Sequence, residues 1–181
     1  FNDQGGSGFH LHLSADRDDD NAFFDRADGD GVSAELRRFT AGVLAHAPAL
    51  AAISNPTINS YKRFGPDTLA PWLVDWGFDN RSAMVRIPPE LGKASRMELR
   101  LGDASANPYL AIAGLLAAAY LGIRDKLEPP PPLEGYGYDP SKADKLPGDL
   151  ASALEAFEAD ADMAGILGKQ FVETFLTYKR N

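Results

Sequence analysis

The strictest hydrophobic pattern in the chain is the alternation in GFHLHLSA, residues 8–15. Apolar residues occupy positions 9, 11 and 13, and the positions between and after them hold His10, His12 and Ser14. Successive side chains of a β-strand point to opposite faces, so the alternation predicts a strand with one apolar and one polar face. That polar face is unusual because it carries two histidines.

A second alternating stretch, SRMELRL (residues 95–101), predicts another strand. Its apolar face comprises residues 97, 99 and 101, and its polar face holds Arg96, Glu98 and Arg100. Residues 73–76 and 83–87 also have the composition of short strands. Two interpretations of the charged face remain open from the pattern alone. It is either a solvent-exposed face with cross-strand ion pairs or a binding face.

Helical spacing predicts most of the remaining regular elements. Ser33 is a suitable N-cap for a helix over residues 34–47. Asn107 followed by Pro108 begins another helix, which continues through the apolar stretch at 110–123. That stretch is too short to span a membrane, so it predicts a buried helix. The last stretch of about 35 residues has the apolar spacing of two helices.

Three stretches predict irregular structure. Residues 15–32 are acidic and turn-rich, which is typical of a surface loop. EPPPPLEGYGYDP (128–140) predicts an extended connector. NPTINSYKRFGPDTLAP (55–71) contains three prolines, which exclude a long helix or a central strand. We expect this proline-rich loop to hold Tyr61, Lys62 and Arg63 in a fixed place.

Composition narrows the class of protein. The 181 residues, 44% of them hydrophobic, suffice for one globular domain with a core. A formal net charge of -8 argues against a nucleic-acid-binding surface. The absence of cysteine excludes disulfides and thiol chemistry, and a cytoplasmic location fits. No signal peptide or membrane span is visible. The chain starts without methionine and ends inside a helical pattern, so we expect a piece of a longer protein.

The two polar strand faces hold a candidate metal site. A histidine and a glutamate on neighbouring strands can ligate one divalent ion, and this mixed ligation suits Mn²⁺ or Zn²⁺ better than Mg²⁺. Arginines beside Glu98 would keep it ionised. The alternative for His10 and His12 is a solvated or hydrogen-bonded pair.

DRADGDG is not an EF-hand loop, because Arg26 and Arg37 would occupy its first and last ligand positions.

Cationic residues are concentrated between positions 63 and 100 of this net-acidic chain. Outside the second alternating strand they are Arg63, Arg81, Arg86 and Lys93. Arginine side chains bind carboxylates and phosphates through paired hydrogen bonds. A metal ion together with several arginines is also what phosphoryl transfer requires, because charge accumulates on the equatorial oxygens. The residues alone therefore predict a site that binds a nucleotide or a phosphate.

Four motifs, in this order and spacing, resemble the catalytic domain of glutamine synthetases. They are GSGFHLHLS, NPTINSYKRFGP, DNRSAMVRIP and RMELRLGDASANPYLAIAGLLAA. The resemblance runs from about Gly6 to Ile123 and more loosely to the end. In this family ATP phosphorylates the side-chain carboxylate of glutamate, and ammonia or an amine then displaces the phosphate. The resemblance implies an ATP-dependent ligase that uses Mg²⁺ or Mn²⁺. It also implies an α+β fold with helices packed outside a curved antiparallel sheet.

The resemblance implies a role for each matching residue. His10 and Glu98 would be ligands of the metal ion that bridges the ATP phosphates. Arg81 would touch both ATP and glutamate and act in catalysis. The positions that match nucleotide-binding residues are His12, Ser14, Arg86 and Lys93. The positions that match glutamate-binding residues are Gly6, Arg63 and Arg100.

Leu69 and Gly5 depart from the family pattern. Leu69, in TLAP, stands where ammonia-using relatives typically have a glutamate that helps to bind and deprotonate ammonium. Leucine can do neither, although its burial would contribute about 1.5–3 kcal/mol. The change resembles γ-glutamyl-amine ligases, which use polyamines or other organic amines, and it would place Leu69 in the amine pocket. The alternative is that another residue supplies the base. Gly5 replaces a frequent asparagine, which leaves the identity of the acid substrate open.

The resemblance also has consequences for domain organisation. Residues 1–181 would form a single domain, a partial catalytic domain. The N-terminal β-grasp domain and the first part of the catalytic domain, with further metal-binding glutamates, would be absent. Because full-length relatives complete each site across a homo-oligomeric ring, we expect the isolated chain to be inactive. A non-catalytic structural relative is the remaining alternative. Tyr138 falls near a tyrosine that some bacterial relatives nucleotidylate, although the flanking residues differ.

Overall fold

The structure is a computed structural model that describes residues 6–181. The strands are β1 (Gly8–Leu13), β2 (Asp16–Arg17), β3 (Asp20–Asn21), β4 (Trp76–Phe78), β5 (Val85–Ile87) and β6 (Met97–Asp103). The α-helices are α1 (Ala34–Ala45), α2 (Ala47–Ser54), α3 (Pro108–Arg124), α4 (Leu150–Ala159), α5 (Ala161–Leu167) and α6 (Lys169–Arg180). Short 3₁₀ turns cover Ile58–Arg63 and Gly92–Ala94.

Four strands form one sheet in the order β1-β6-β5-β4. β6 pairs antiparallel with both β1 and β5, whereas β4 runs parallel to β5. The two-residue strands β2 and β3 pair with each other, within the acidic surface segment that was expected to be a loop. The prediction of an α+β fold with a largely antiparallel sheet is confirmed.

The apolar face of β6 forms the centre of the core. Met97, Leu99 and Leu101 are fully buried in the same cluster as residues of α1, α2 and α3. Helices α1 and α3 cross very closely at Gly42 and Gly122. A Cβ at Gly122 would lie 2.0 Å from the backbone oxygen of Arg38, so only glycine fits there. This packing holds the apolar face of β6 against the helices, so the charged face of β6 points away from them.

Several predicted element bounds, and the predicted number of C-terminal helices, were wrong. The helix expected over 34–47 ends at Ala45, because a proline near the start of α2 favours a new first turn there. The C-terminal stretch forms three helices, because Asp160 caps α5 by accepting a hydrogen bond from the Met163 backbone and Gly168 separates α5 from α6. The strand expected at 73–76 begins only at Trp76, and the strand expected at 83–87 begins only at Val85.

The extended connector predicted at 128–140 is confirmed and packs along β4. The indole of Trp76 donates to the backbone oxygen of Pro130 at 2.7 Å, and the Leu133 amide donates to the Trp76 oxygen at 2.7 Å. Tyr138 is buried, so its hydroxyl is not presented at the surface. Among the described residues, no helix has the length and apolarity needed to cross a membrane.

Candidate functional site

The charged face of the sheet opens into a cavity of about 610 Å³. Most of the residues singled out from the sequence line it, although they come from four separate segments of the chain. Those lining residues are Gly6, His10, His12, Arg63, Leu69, Arg81, Arg86, Glu98 and Arg100. The remaining lining residues, which sequence reasoning missed, are Gly8, Thr68 and Ala70.

Two predicted site residues do not line this cavity. Ser14 lies just beyond the end of β1 and is exposed. Lys93 is exposed in a short 3₁₀ turn, where its backbone oxygen accepts a hydrogen bond from Asn21 at 3.3 Å. Gly5 lies outside the described residues. Their proposed roles at the nucleotide and the glutamate therefore stay predictions.

Strand register brings the histidines of β1 to Glu98 of β6. His12 is the direct cross-strand partner of Glu98, yet its Nε2 is 3.8 Å from Oε1. His10 lies closer, with Nδ1 3.0 Å from the same oxygen. The register shifts between Phe9 and Leu11, which places an irregularity at His10. Such irregularities change the direction of single side chains, and the irregularity at His10 accounts for its approach to Glu98.

Glu98 is buried, only 4% exposed, and it is surrounded by cations. Arg86 Nη1 donates to Oε2 at 2.9 Å, and Arg100 Nη1 donates to Oε1 at 3.3 Å. Burial by itself opposes ionisation, but the Arg86 hydrogen bond and the charges of Arg100, His10 and His12 lower the pKa of Glu98 overall. The side chain is therefore a carboxylate, and the alternative of a solvent-exposed charged face is wrong for Glu98 and Arg100.

His10 is held in the neutral form that a metal ligand requires. Burial lowers the pKa of His10 first, the positive charge of Arg100 adds to this, and the proximity of Glu98 works in the opposite direction. The net pKa lies below the ordinary value of 6.5. An imidazole nitrogen that is free of a second proton can coordinate a cation or accept a hydrogen bond.

The pair His10–Glu98 fits a divalent ion that also takes ligands from elsewhere. Octahedral Mg²⁺ ligands at about 2.1 Å stand about 3 Å apart along each edge. The 3.0 Å separation of His10 Nδ1 and Glu98 Oε1 is a hydrogen-bond distance, and it also has the length of such an edge. Within residues 6–181, no group of three or more His, Cys, Asp or Glu side chains converges on one point. The two side chains would therefore hold the ion jointly with further oxygen donors, such as phosphate oxygens.

Arg63 is positioned by the proline-rich loop, as expected. The 3₁₀ turn Ile58–Arg63 is closed by a reciprocal capping box between Thr57 and Ser60. Arg63 Nη1 donates to the backbone oxygen of Leu101 at 2.8 Å. Burial lowers the pKa of Arg63 below its ordinary value, partly offset by the charge of Asp103. A Cβ at Gly6 would lie 2.6 Å from Arg63 Cβ, so this glycine allows the chain to pass over the arginine.

Arg81 lies in the loop that follows β4, and Arg86 lies in β5. Arg81 is exposed, and within the described part of the chain its guanidinium donates no hydrogen bond. Arg86 is held between Glu98 and Asp79, whose carboxylate accepts from both Nε and Nη2. Sequence reasoning missed Asp79 as a partner of Arg86, although Asp79 is the first residue of the DNRSAMVRIP motif.

Leu69 lies at the rim of the cavity and is 69% exposed. Its φ of 59° is a left-handed conformation that a leucine adopts at a cost. The turn before it is ordered by Thr68, whose hydroxyl donates to the Gly65 oxygen at 2.7 Å. Arg100 Nη2 donates to the Leu69 oxygen at 3.0 Å. The sequence did not reveal this backbone contact, because it depends on packing between distant segments.

Comparison with known proteins assigns the family. The family model of the glutamine synthetase catalytic domain matches residues 1–181. The chain belongs to the glutamine synthetase family. The glutamine synthetase of Thermotoga maritima is 47% identical over 178 residues, which are 94% of this chain and 40% of the relative. The glutamine synthetase of Thermus thermophilus is 43% identical over 182 residues, 97% of this chain and 41% of the relative.

Solved structures of the same family share this fold. A GmaS/ADP complex has a TM-score of 0.86 and 38% identity, and the match covers 97% of this chain and 42% of that chain. GmaS without ligand has a TM-score of 0.87 and 39% identity, and the match covers 99% and 42%. The chain thus spans about two fifths of the length of these relatives. The resemblance read from the four motifs is confirmed at the level of family and fold.

Proposed function

We propose that this chain is the catalytic part of an ATP-dependent ligase of the glutamine synthetase type. The reaction joins L-glutamate to ammonia through γ-glutamyl phosphate and releases ADP and phosphate. One observation carries the proposal. An ionised, buried Glu98 and a neutral His10 meet at 3.0 Å inside a cavity whose lining also includes four arginines, Arg63, Arg81, Arg86 and Arg100. A cation site next to an anion site is what the transfer of a phosphoryl group to a carboxylate requires.

The metal ion would be Mg²⁺ or Mn²⁺, held by His10 and Glu98 together with phosphate oxygens. When bound, it would neutralise charge on the phosphates during transfer. Arg86 keeps Glu98 ionised, and so keeps it able to bind a cation. The exposed guanidinium of Arg81 is available for the transferred phosphoryl group and the glutamate carboxylate. The cationic wall formed by Arg63, Arg81 and Arg100 attracts glutamate into the cavity.

A nucleotide in this cavity is supported by the relatives. One of the similar solved structures is a complex of GmaS with ADP. We carry that ligand over to this chain as ATP before reaction and ADP after it. His12 lies on the cavity wall, where it can approach the nucleotide. Ser14 and Lys93 would approach it from the outer edge of the same site.

A second function is favoured by Leu69. Within the described residues that line the cavity, Glu98 is the single carboxylate, and it is paired with Arg86, Arg100 and His10. That leaves no free carboxylate in the lining to bind an ammonium ion. An exposed leucine at the rim offers apolar contact to an organic amine instead. We therefore propose as the alternative a γ-glutamyl-amine ligase that uses a polyamine or another organic amine.

The organisation of the active enzyme is part of the same proposal. Residues 1–181 would be a single domain that acts within a longer polypeptide and a homo-oligomeric ring. Within residues 6–181, His10 and Glu98 are the proposed donors for the metal ion, and further protein donors would come from the longer polypeptide. We therefore expect no ligase turnover from the 181-residue chain alone. The cytoplasmic location stays a prediction.

The deciding experiment uses the full-length polypeptide that contains this chain. ADP release is followed with Mg·ATP and glutamate while ammonium, methylamine, ethanolamine, putrescine and spermine are offered in turn. Turnover with ammonium supports the first function, and turnover only with an organic amine supports the second. ADP release that is independent of glutamate, or absent with every amine, contradicts both.

Matched variants connect that activity to the site. Glu98→Gln removes the buried carboxylate, whereas Glu90→Gln removes an exposed one that pairs with Arg96 at 2.9 Å. We expect Glu98→Gln to lower kcat by at least about 100-fold and Glu90→Gln to change it less than about threefold. Equal losses in the two variants would argue against a special role of Glu98.

A further inference from the structure

Gly8 lines the cavity at a point where two side chains of the site leave no room for a third. It begins β1 and lines the same cavity as His10 and Arg63. A Cβ at position 8 would lie 2.9 Å from His10 Nε2, 3.3 Å from His10 Cδ2 and 3.2 Å from Arg63 Nη2. We propose that Gly8 is a positioning residue of the candidate metal site, because it leaves the His10 imidazole the space to turn its Nδ1 toward Glu98. This inference rests on the proposed function.

The backbone itself does not require glycine at position 8. Gly8 is not among the residues with a left-handed φ, and it pairs with Asp103 in the antiparallel ladder of β1 and β6. At Gly102, by contrast, a Cβ would lie 2.7 Å from the backbone oxygen of Phe9, so the sheet itself excludes a side chain there. At Gly8 the nearest atoms are the ends of two side chains. The glycine therefore serves the arrangement of those side chains and not the course of the chain.

His10 depends on this space because strand pairing does not fix its direction. The register shifts between Phe9 and Leu11, so His10 has no direct partner in the ladder between β1 and β6. Alternate residues of a strand share a face, so positions 8 and 10 are neighbours on the cavity side. The imidazole has Nδ1 3.0 Å from Glu98 Oε1 and Nε2 next to Gly8. A methyl group at position 8 would displace Nε2 and, with it, the whole ring.

The distances indicate which group would move. Non-bonded carbon atoms pack best at about 3.5–4.0 Å, so a methyl carbon 2.9 Å from Nε2 would force a displacement. The imidazole can rotate about its side-chain bonds, whereas the backbone of β1 is held in the sheet. We therefore expect Gly8→Ala to fold and to lose the approach of His10 to Glu98. Residues that orient a metal ligand typically change metal affinity about 10–100-fold when they are altered.

Histidine NMR of the ligand-free chain tests the positioning role without metal and without activity. The chain contains three histidines. At constant pH we expect Gly8→Ala to shift the ¹⁵N signal of His10 Nδ1, which depends on its contact with Glu98, and to leave the signals of His46 in place. Gly29→Ala is the matched control, because a Cβ there would meet no described atom within 4 Å beyond its chain neighbours. It should move neither signal. An unchanged Nδ1 signal of His10 in Gly8→Ala would overturn the proposal.

Calorimetric titration of the full-length enzyme with Mn²⁺ measures the consequence for metal binding. We expect Gly8→Ala to weaken Mn²⁺ binding at least about tenfold and Gly29→Ala to change it less than about twofold. Wild-type affinity in Gly8→Ala contradicts the positioning role. Absence of Mn²⁺ binding in the wild-type enzyme would instead contradict the proposed function, and the NMR result would still decide whether Gly8 positions His10.

A double variant covers the case in which Gly8→Ala is poorly folded. Asparagine is shorter than histidine and leaves the place of Nε2 empty. If the imidazole is the obstacle, Gly8→Ala should lower the thermal midpoint much less in the His10→Asn background than in the wild type. An equal loss in both backgrounds would mean that position 8 requires glycine for a reason other than His10, which contradicts the proposal.

Discussion

Glu98 and Asp75 are two carboxylates with nearly the same burial and opposite electrostatics. Glu98 is 4% exposed and Asp75 is 6% exposed. The arginines and histidines around Glu98 lower its pKa below the ordinary value. Burial raises the pKa of Asp75 from 3.8 to about 6, opposed only by backbone hydrogen bonds such as the one from Met84 at 2.8 Å. Burial alone therefore does not predict the charge of an acidic side chain, because the neighbouring cations decide it.

The difference also separates a binding site from a buried polar residue. Glu98 lines the cavity and is charged, so it can attract a cation. Asp75 Oδ2 has no hydrogen-bond partner within the described residues. Burial of the protonated carboxyl group therefore costs less free energy than burial of the carboxylate. We therefore expect substitutions at and around Glu98 to lower the free energy of unfolding, and substitution of Asp75 to raise it at high pH.

The largest effect is expected for Glu98→Ala. Removal of this carboxylate leaves the buried charge of Arg100 without its carboxylate partner, which typically costs about 3–5 kcal/mol, whereas Arg86 keeps Asp79. Urea unfolding at pH 7.5 measures the change in the free energy of unfolding. Glu98→Gln retains the shape and should lose less. A loss under about 1 kcal/mol in Glu98→Ala would mean that the cluster is effectively solvated.

Asp75→Asn should instead stabilise the protein at high pH. Because the folded-state pKa of Asp75 is raised to about 6, the folded protein binds more protons than the unfolded chain between pH 3.8 and about 6, and its stability falls as pH rises through that window. The full penalty, roughly 3 kcal/mol, is present above about pH 6. Asparagine does not ionise and keeps an acceptor for the Met84 amide.

Urea unfolding at two pH values checks this expectation. The stability of Asp75→Asn relative to wild type should be about 2 kcal/mol more favourable at pH 8 than at pH 4.5. A control at an exposed carboxylate is Asp67→Asn, for which we expect a much smaller difference. The same relative stability of Asp75→Asn at both values would show that Asp75 titrates normally.

A smaller effect is expected for Arg86→Gln. The substitution removes the charged hydrogen bond of 2.9 Å to buried Glu98, which typically contributes about 1.5–3 kcal/mol, together with the bonds to exposed Asp79. Arg100 stays in place, so Glu98 remains partly compensated. The pKa of Glu98 should move upward, measurable by NMR titration of its labelled side-chain carbonyl carbon. If the pKa of Glu98 stays at the wild-type value, Arg100 is the residue that mainly stabilises the ionised form of Glu98.

The smallest effect is expected for His12→Asn. His12 Nε2 is 3.8 Å from Glu98, and its side chain is partly exposed, so its loss should change stability by less than about 0.5 kcal/mol. His10→Asn removes the closer contact of 3.0 Å. Calorimetric titration of the full-length enzyme with Mn²⁺ should show a loss of affinity in His10→Asn and little change in His12→Asn. The reverse order would exchange the roles of the two histidines.

Sequence patterns were reliable where the signal is local. The strands predicted from alternation (β1 and β6), the Ser33 and Asn107 caps and the extended connector are all found in the structure, although in β6 the polar face is buried as well as the apolar one. The helix break near residue 46 and the third C-terminal helix were missed. Each depends on a single capping or proline position inside an otherwise continuous apolar spacing, which periodicity does not resolve.

The sequence by itself determined the family, the two polar strand faces and most of the residues that line the cavity, because residue type and spacing carry that information directly. Tertiary structure decided how those residues are used. The irregularity at His10 brings it closer to Glu98 than its cross-strand neighbour His12. The packing of two distant loops onto Arg100 is likewise not predictable from the sequence. Every residue has a backbone oxygen, so nothing in the sequence marks those of residues 69 and 81 as partners of Arg100; only the tertiary structure brings them together.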